Sequence, residues 1–308
     1  MDRGTLEKVR KELERKEGVS FKGSLDDRRS LLFRMVMGLV GVNTEPAGYL
    51  SVEVDGVTKD LVVVEKKHAK EEYEKLKKIR EELAGNCSLA VPEPFLLLEE
   101  ENIVVQEFCG PSFSEIITLG NFFIGKGKDE IIELFKRFGR SLAEFHNLTL
   151  SGEKINLSDK FKGGFEETGG LPLKINDIIR DIELRDVSVP ETRIHGDVIL
   201  LHIRKHNDNL ALIDWSGSKM GPPQRDLSCL EFNMKRWNVS WIRYDLMEFY
   251  DKFEREYKEM ANFNIDGYSF NLSKLNFLLS RVKRKPKKFE RDIYKKEITE
   301  AANQLMKG

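Results

Sequence analysis

Between His195 and Trp215, two apolar-rich runs, Leu200 to Arg204 and Leu210 to Ile213, flank the segment Lys205-His206-Asn207-Asp208-Asn209. Asn and Asp tolerate the left-handed backbone of a tight turn, so the stretch predicts a β-hairpin. An antiparallel hairpin returns its outer ends to one place. Asp197, just before the first run, and Asp214, just after the second, are therefore expected to converge. Two carboxylates held together can divide their labour, one taking a proton from a nucleophile and the other holding Mg²⁺ through oxygen. The plain alternative for each is a turn cap, the common duty of an Asp after a strand. His195-Gly196-Asp197 alone decides little. With Ile213-Asp214-Trp215 at the far end of the same hairpin, the pattern is far more specific.

The chain has 308 residues, 51 Lys and Arg against 52 Asp and Glu, and 40% apolar residues. That is enough for a large core, and at this length two compact parts are the expectation. A net charge of −1 excludes a globally basic nucleic-acid binder but leaves local patches open. Cys87, Cys109 and Cys229 are an odd number at wide spacing, which suits neither a disulfide framework nor a zinc site. The start, Met1-Asp2-Arg3-Gly4, leads into a charged segment, and the longest apolar stretch, Leu31 to Val42, contains Arg34. No secretory leader and no membrane span are expected, and the location expected is the cytoplasm.

Leu6, Val9 and Leu13 share one helical face between Thr5 and Glu17, with Gly18 as the stop. From Leu31 to Val64, apolar β-rich runs are broken at Gly38, Gly41, the Glu45-Pro46-Ala47-Gly48 turn and Asp55-Gly56, which predicts successive strands. Leu61 to Val64 is the strongest strand, followed by Lys66-Lys67 and a charged helix from about Ala69 to Leu83. Strands are predicted at Phe95 to Leu98 and Ile103 to Phe108, and then Gly110-Pro111 breaks the chain. Ile131, Leu134, Phe135, Phe138, Leu142 and Phe145 form one wide helical stripe, and helices dominate after Asp226. The class is α+β: a small β-rich N-lobe with one main helix over 1–106, a joint over 107–113, and a larger, mostly helical C-lobe over 114–308.

Several further segments fall in a fixed order. They are Leu89-Ala90-Val91-Pro92-Glu93-Pro94-Phe95, Val104-Val105-Gln106-Glu107-Phe108-Cys109-Gly110, Leu142-Ala143-Glu144-Phe145-His146 and Gly221-Pro222-Pro223-Gln224-Arg225-Asp226-Leu227. Together with the His-Gly-Asp and Ile-Asp pieces, this order resembles the aminoglycoside phosphotransferase and choline kinase branch of the protein-kinase-like fold from about residue 50 to 230. The resemblance implies a bilobal kinase-like fold and ATP-dependent phosphorylation of a hydroxyl on a small molecule, with Mg²⁺ as the ion. Asp197 is then the base and Asp214 the metal ligand. His195 organises the catalytic loop rather than donating a proton, and Asp226 holds the loop backbone. The carbonyl of Glu107 and the N–H of Cys109 face the adenine edge, so Cys109 is no nucleophile. Lys66 pairs with the nucleotide phosphates and Glu72 with Lys66, with Lys67 or Glu74 as alternatives in a region crowded with Lys and Glu. The interval from Lys66 to Glu72 is shorter than is common in the family.

Two features depart from that pattern. Position 202, where the family carries a metal-binding Asn, is His202, which favours Mn²⁺ as the alternative ion because imidazole suits softer metals. Gly38, Gly41 and Gly48 form no Gly-x-Gly-x-x-Gly phosphate loop. An atypical protein kinase and a nucleotide-binding pseudokinase therefore stand beside the small-molecule kinase, and the choice of ATP over GTP stays open. Arg281 to Lys288 holds six basic residues in eight. It reads as a solvated loop or, if it faces the substrate, as a preference for an anionic acceptor or RNA. Trp237, Trp241, Tyr244 and Tyr250 read as helical core or as the wall of a substrate pocket.

Overall fold

The computed structural model describes residues 3–16, 18–23, 47–83, 86–122, 127–161, 174–183, 185–237, 244–282 and 288–307. The strands expected between Leu31 and Pro46, the position of Trp241 and residues 283–287 of the basic segment lie outside these. The chain divides into two compact units. The first comprises Met1–Asn86, Ala90–Glu115 and Arg204–Ser216, and the second Cys87–Leu89, Ile116–Ile203 and Gly217–Gly308.

The first unit is built on an antiparallel sheet in the order β1-β2-β3-β6-β5. Its strands are β1 (Val19–Gly23), β2 (Ala47–Val54), β3 (Val57–Glu65), β5 (Pro94–Leu98) and β6 (Ile103–Glu107), with the short β4 (Leu89–Ala90) between β3 and β5 in the chain. β2 and β3 join through Asp55-Gly56, both at positive φ (50° and 80°), the backbone of a two-residue hairpin turn. Alternation puts Leu61 and Val63 on the buried face of β3, where they join Leu50, Val52, Ile103 and Val105. Val9 and Leu13 of helix α1 (Arg3–Glu14) cap this cluster. Helix α2 (Ala69–Leu83) packs beside β5 and β6 and buries Ala69, Glu72, Leu76, Ile79 and Leu83. Their spacing of three and four is that of one helical face.

The hairpin of β10 (Ile203–His206) and β11 (Asn209–Leu212) is present, but its first strand starts three residues later than the sequence suggested. Leu200 to His202 form a turn instead, because the N–H groups of His202 and Ile203 both close on the Ile199 carbonyl and Asn233 Oδ1 accepts the Leu200 N–H at 3.0 Å. Lys205 and His206, expected in the turn, are strand residues. The turn is Asn207-Asp208, with Asn207 at φ 52°.

The second unit is mostly helical. Helices α4 (Lys128–Leu148) and α7 (Leu246–Met260) stack Phe135 on Phe249 and Phe138 on Phe253 at 5.5 and 5.4 Å between ring centroids. A second cluster joins α5 (Lys174–Glu183), α6 (Gln224–Trp237), α8 (Gly267–Val282) and α9 (Lys288–Leu305) through Ile182, Phe232, Leu272, Leu278 and Ile298. Trp237 and Tyr250 are buried, in keeping with helical core. Two short antiparallel pairs, β7 (Lys154–Asn156) with β8 (Ser188–Pro190) and β9 (Thr192–Ile194) with β12 (Lys219–Gly221), also belong to this unit. Strands of three residues are too short to show a period, so they are not legible from sequence pattern.

Candidate active site

In the first unit three predicted residues meet. The backbone N–H of Lys66, at the end of β3, donates to the Asn102 carbonyl at 2.8 Å, and the Lys66 ammonium lies 3.6 Å from Glu72 Oε2 and 3.1 Å from Asp214 Oδ1. Lys67 and Glu74, the alternatives, are exposed. Glu72 is the one acid within the buried stripe of α2, only 3% exposed, and a carboxylate placed there requires a cation. Asp214 stands on a left-handed backbone (φ 63°), a conformation that Asp tolerates better than most residues. Ser216 Oγ donates to Asp214 Oδ1 at 2.9 Å, and Trp215, fully buried, donates from Nε1 to the Leu212 carbonyl at 2.7 Å. Lys75, one helical turn beyond Glu72, donates to the Ser216 carbonyl at 2.8 Å and ties α2 to the same loop. In the sequence Lys75 is one of many cations of this helix, although its i+3 spacing from Glu72 puts both on one face.

Glu107 closes β6. Its N–H donates to the Glu93 carbonyl and the next N–H, of Phe108, to the Asp60 carbonyl, both at 2.8 Å. Cys109 is buried with Sγ 3.8 Å from the Glu107 carbonyl oxygen, and burial pushes its thiol up to about 12. Burial raises Cys87 to about 11 and raises Cys229 as well, so none of these free cysteines is an activated thiolate. Gly110 has φ 77°, and a Cβ there would collide with the Lys205 carbonyl. Just beyond it Ser112 and Glu115 form a reciprocal cap at the start of α3 (Phe113–Phe122). The Glu115 N–H donates to Ser112 Oγ at 3.1 Å and the Ser112 N–H to Glu115 Oε2 at 2.6 Å. Arg204 Nη1 completes it at 3.2 Å from the same Glu115 oxygen.

In the second unit the His195-Gly196-Asp197 loop leaves β9 directly. Asp226, fully buried, accepts the backbone N–H groups of His195 and Gly196, each at 2.7 Å. Burial alone would raise its pKa. The hydrogen bond and charge of His146, the charge of His195 and the Gly196 N–H outweigh burial and hold it below the usual value. His146 Nε2 lies 3.2 Å from Asp226 Oδ2 and its Nδ1 faces the Tyr257 hydroxyl, so a chain Tyr257-His146-Asp226 underpins the loop from α7 and α4. His195 is fully buried, and its Nδ1 lies 3.3 Å from the Asp197 N–H. The Asp197 carboxylate is one-third exposed. His202 Nδ1 lies 2.9 Å from the Asp197 main-chain oxygen. A carbonyl only accepts, so this nitrogen carries the proton and a neutral imidazole has its lone pair on Nε2. Asp197 also receives a hydrogen bond from Arg281 Nη2 at 2.5 Å. In the sequence Arg281 stands out only as part of a basic run.

Among the described residues no three His, Cys, Asp or Glu side chains converge as a metal cage. Asp214 supplies hard carboxylate oxygens, which suit Mg²⁺. A single carboxylate would leave most of a hard cation's coordination to oxygens from outside the protein. His202 offers only nitrogen, the donor that Mg²⁺ accepts least readily.

No protein-family model and no curated protein matches the chain. Among solved structures, aminoglycoside phosphotransferase APH(4)-Ia aligns with a TM-score of 0.59 at 13% identity, over 98% of this chain and 99% of that one. The fold is that of the small-molecule phosphotransferases. Amicoumacin kinase hAmiN, solved with AMP-PNP and Ca²⁺, aligns at 0.51 with 12% identity, over 99% and 94% of the two chains. A choline/ethanolamine kinase family protein from Mesorhizobium loti aligns at 0.50 with 14% identity, over 97% and 94%. The phosphotransferase fold thus spans nearly the whole chain, and no described helix is long and apolar enough to cross a membrane.

Proposed function

We propose that the chain is an ATP-dependent phosphotransferase that moves the γ-phosphoryl group of ATP to a hydroxyl of a small molecule. The observation that carries this reading is the ion network in which Lys66 stands between Glu72 and Asp214, at 3.6 and 3.1 Å. It unites a strand lysine, a helix glutamate and a loop aspartate, the constellation that positions nucleotide phosphates and their cation. In this reading Lys66 pairs with the phosphates, Glu72 fixes Lys66, and Asp214 holds Mg²⁺, which supplies charge neutralisation of the phosphates when bound. The main chain at Glu107 and Cys109 takes the adenine edge. Asp197 accepts the acceptor's proton, and His195 and Asp226 fix the loop that carries it. His202 is the further ligand candidate through Nε2, with Mn²⁺ the ion it would favour. The domain boundaries of this reading are 1–106, a linker over 107–113 and 114–308.

A second reading, a nucleotide-binding pseudokinase, is favoured by one observation, the guanidinium of Arg281 on the Asp197 carboxylate. Calorimetry with MgATP separates the proposal from a fold without nucleotide chemistry. The intact chain is expected to bind MgATP, and Asp214→Ala is expected to weaken binding by about tenfold or more. Equal affinity for parent and variant in Mg²⁺ would reduce Asp214 to a turn cap.

A further inference from the structure

Asp197 does not stand alone in the second unit. Arg281, in the last turn of α8, places Nη2 2.5 Å from Asp197 Oδ1 while its guanidinium lies 5.4 Å from the ring centroid of Phe277, one turn earlier on the same helix. Arg225 of α6 covers the same ring at 4.4 Å. Of the other titratable groups beside Asp197, one is a neutral thiol and one a carboxylate that already has its own partners. Cys229, with Sγ 3.8 Å from Asp197 Oδ1, is kept a neutral thiol by burial, and Asp226 is engaged by His146 and by the N–H groups of His195 and Gly196. His202 Nδ1, 3.8 Å from Asp197 Oδ2, carries a proton. One permanently charged guanidinium, that of Arg281, therefore stands against a one-third-exposed carboxylate, and a second, that of Arg225, shares its Phe277 ring.

We infer that Arg281 is an acceptor-binding residue, and that the acceptor carries an anionic group, a carboxylate or a phosphate, beside the hydroxyl that is phosphorylated. This rests on the phosphotransferase reading above. While Arg281 is bonded to Asp197, one oxygen of the carboxylate is already occupied. An anionic group arriving with the acceptor offers the guanidinium a planar two-point partner and draws it from Asp197. The hydroxyl then takes the vacated oxygen. The proton passes to Asp197 as the new O–P bond forms, the bond from the γ-phosphorus to the bridging oxygen breaks, and ADP leaves with that electron pair. A cationic acceptor meets the opposite field, since it approaches the Arg281 guanidinium.

The test is a panel of acceptors in matched pairs, run with the full chain and MgATP. Hydroxy acids are set against the corresponding alcohols, sugar phosphates against the free sugars, and amino sugars form a cationic arm. The anionic member of a pair is expected to show at least about tenfold higher kcat/KM, and the carboxylate and phosphate arms distinguish the two sources of charge. Arg281→Met, which keeps the stem over Phe277, is expected to cost about 100-fold in kcat/KM for the anionic acceptor, mainly through its KM, with the KM for ATP unchanged. Arg281→Lys retains charge without the fork and should fall between. A preference for neutral or cationic acceptors overturns the inference and leaves the phosphotransferase standing. So does an anionic preference that survives in Arg281→Met, and so does MgATP binding with no transfer to any anionic compound. Failure to bind MgATP at all overturns the phosphotransferase reading itself.

Discussion

At the residue scale, the loop that carries Asp197 depends on a glycine and an acid more than on its own hydrogen bonds. Gly196 has φ 84°, and a Cβ there would lie 2.6 Å from the Gly217 carbonyl oxygen, next to the β9 and β12 pair. Gly196→Ala is therefore expected to lower stability by roughly 2 kcal/mol or more, read as a fall in the denaturant midpoint at unchanged slope. No change would mean that the loop moves freely. His195, Asp226 and Glu72 could be singled out in the sequence by the motif segments they stand in, and all three are buried. Lys75 and Arg281 were not. Both are ordinary cations in basic surroundings, and only the folded chain shows that one reaches the Ser216 carbonyl and the other a carboxylate 84 positions away.

At the element scale, period decided what could be read. Helix α2 occupies the span that its stripe predicted, Ala69–Leu83, and α4 extends the predicted stripe by one turn at its start and one at its end. The hairpin was foreseen, but its strand phase was not, since Leu200 looks like a strand residue and is instead held by Asn233 from α6. Helices α6, α8 and α9 share an ionic layer that no single stretch of sequence reveals. Lys274 lies 3.0 Å from both Glu231 and Glu297, and Lys235 lies 3.1 and 3.2 Å from the same two acids. Lys274 is almost fully buried, so Lys274→Ala leaves two acids to share the half-exposed Lys235 and is expected to cost about 3–5 kcal/mol. Lys274→Met should recover part of that through packing, as equilibrium unfolding would show; equal loss in both variants would assign the whole effect to charge.

At the scale of the whole molecule, acid and phosphoryl transfer probe different parts of the same chain. Burial pushes Glu297 up, but the charge and hydrogen bond of Lys274, followed by those of Lys235, hold it below its usual value, as His146 and its neighbours do for Asp226. Groups with depressed folded values stabilise above the unfolded carboxylate pKa and lose that contribution as pH falls through the folded one. Stability should thus be level from these groups between about pH 5 and 7 and drop below about pH 4, as denaturant midpoints against pH would report. A midpoint that rises on acidification would contradict both assignments. Two units, an antiparallel sheet and a helical remainder were legible from composition and pattern, whereas the ion pair of Arg281 with Asp197 was not, because it joins the end of α8 to the His195 loop 84 positions away. The most direct measurement is transfer of γ-labelled phosphate from MgATP to the acceptor panel by the parent and by Asp197→Asn. Labelled product is expected with the parent, and with Asp197→Asn a loss of about 100-fold or more in kcat while ATP affinity stays within a few-fold. Near-normal turnover by Asp197→Asn would contradict the role of Asp197 as the base.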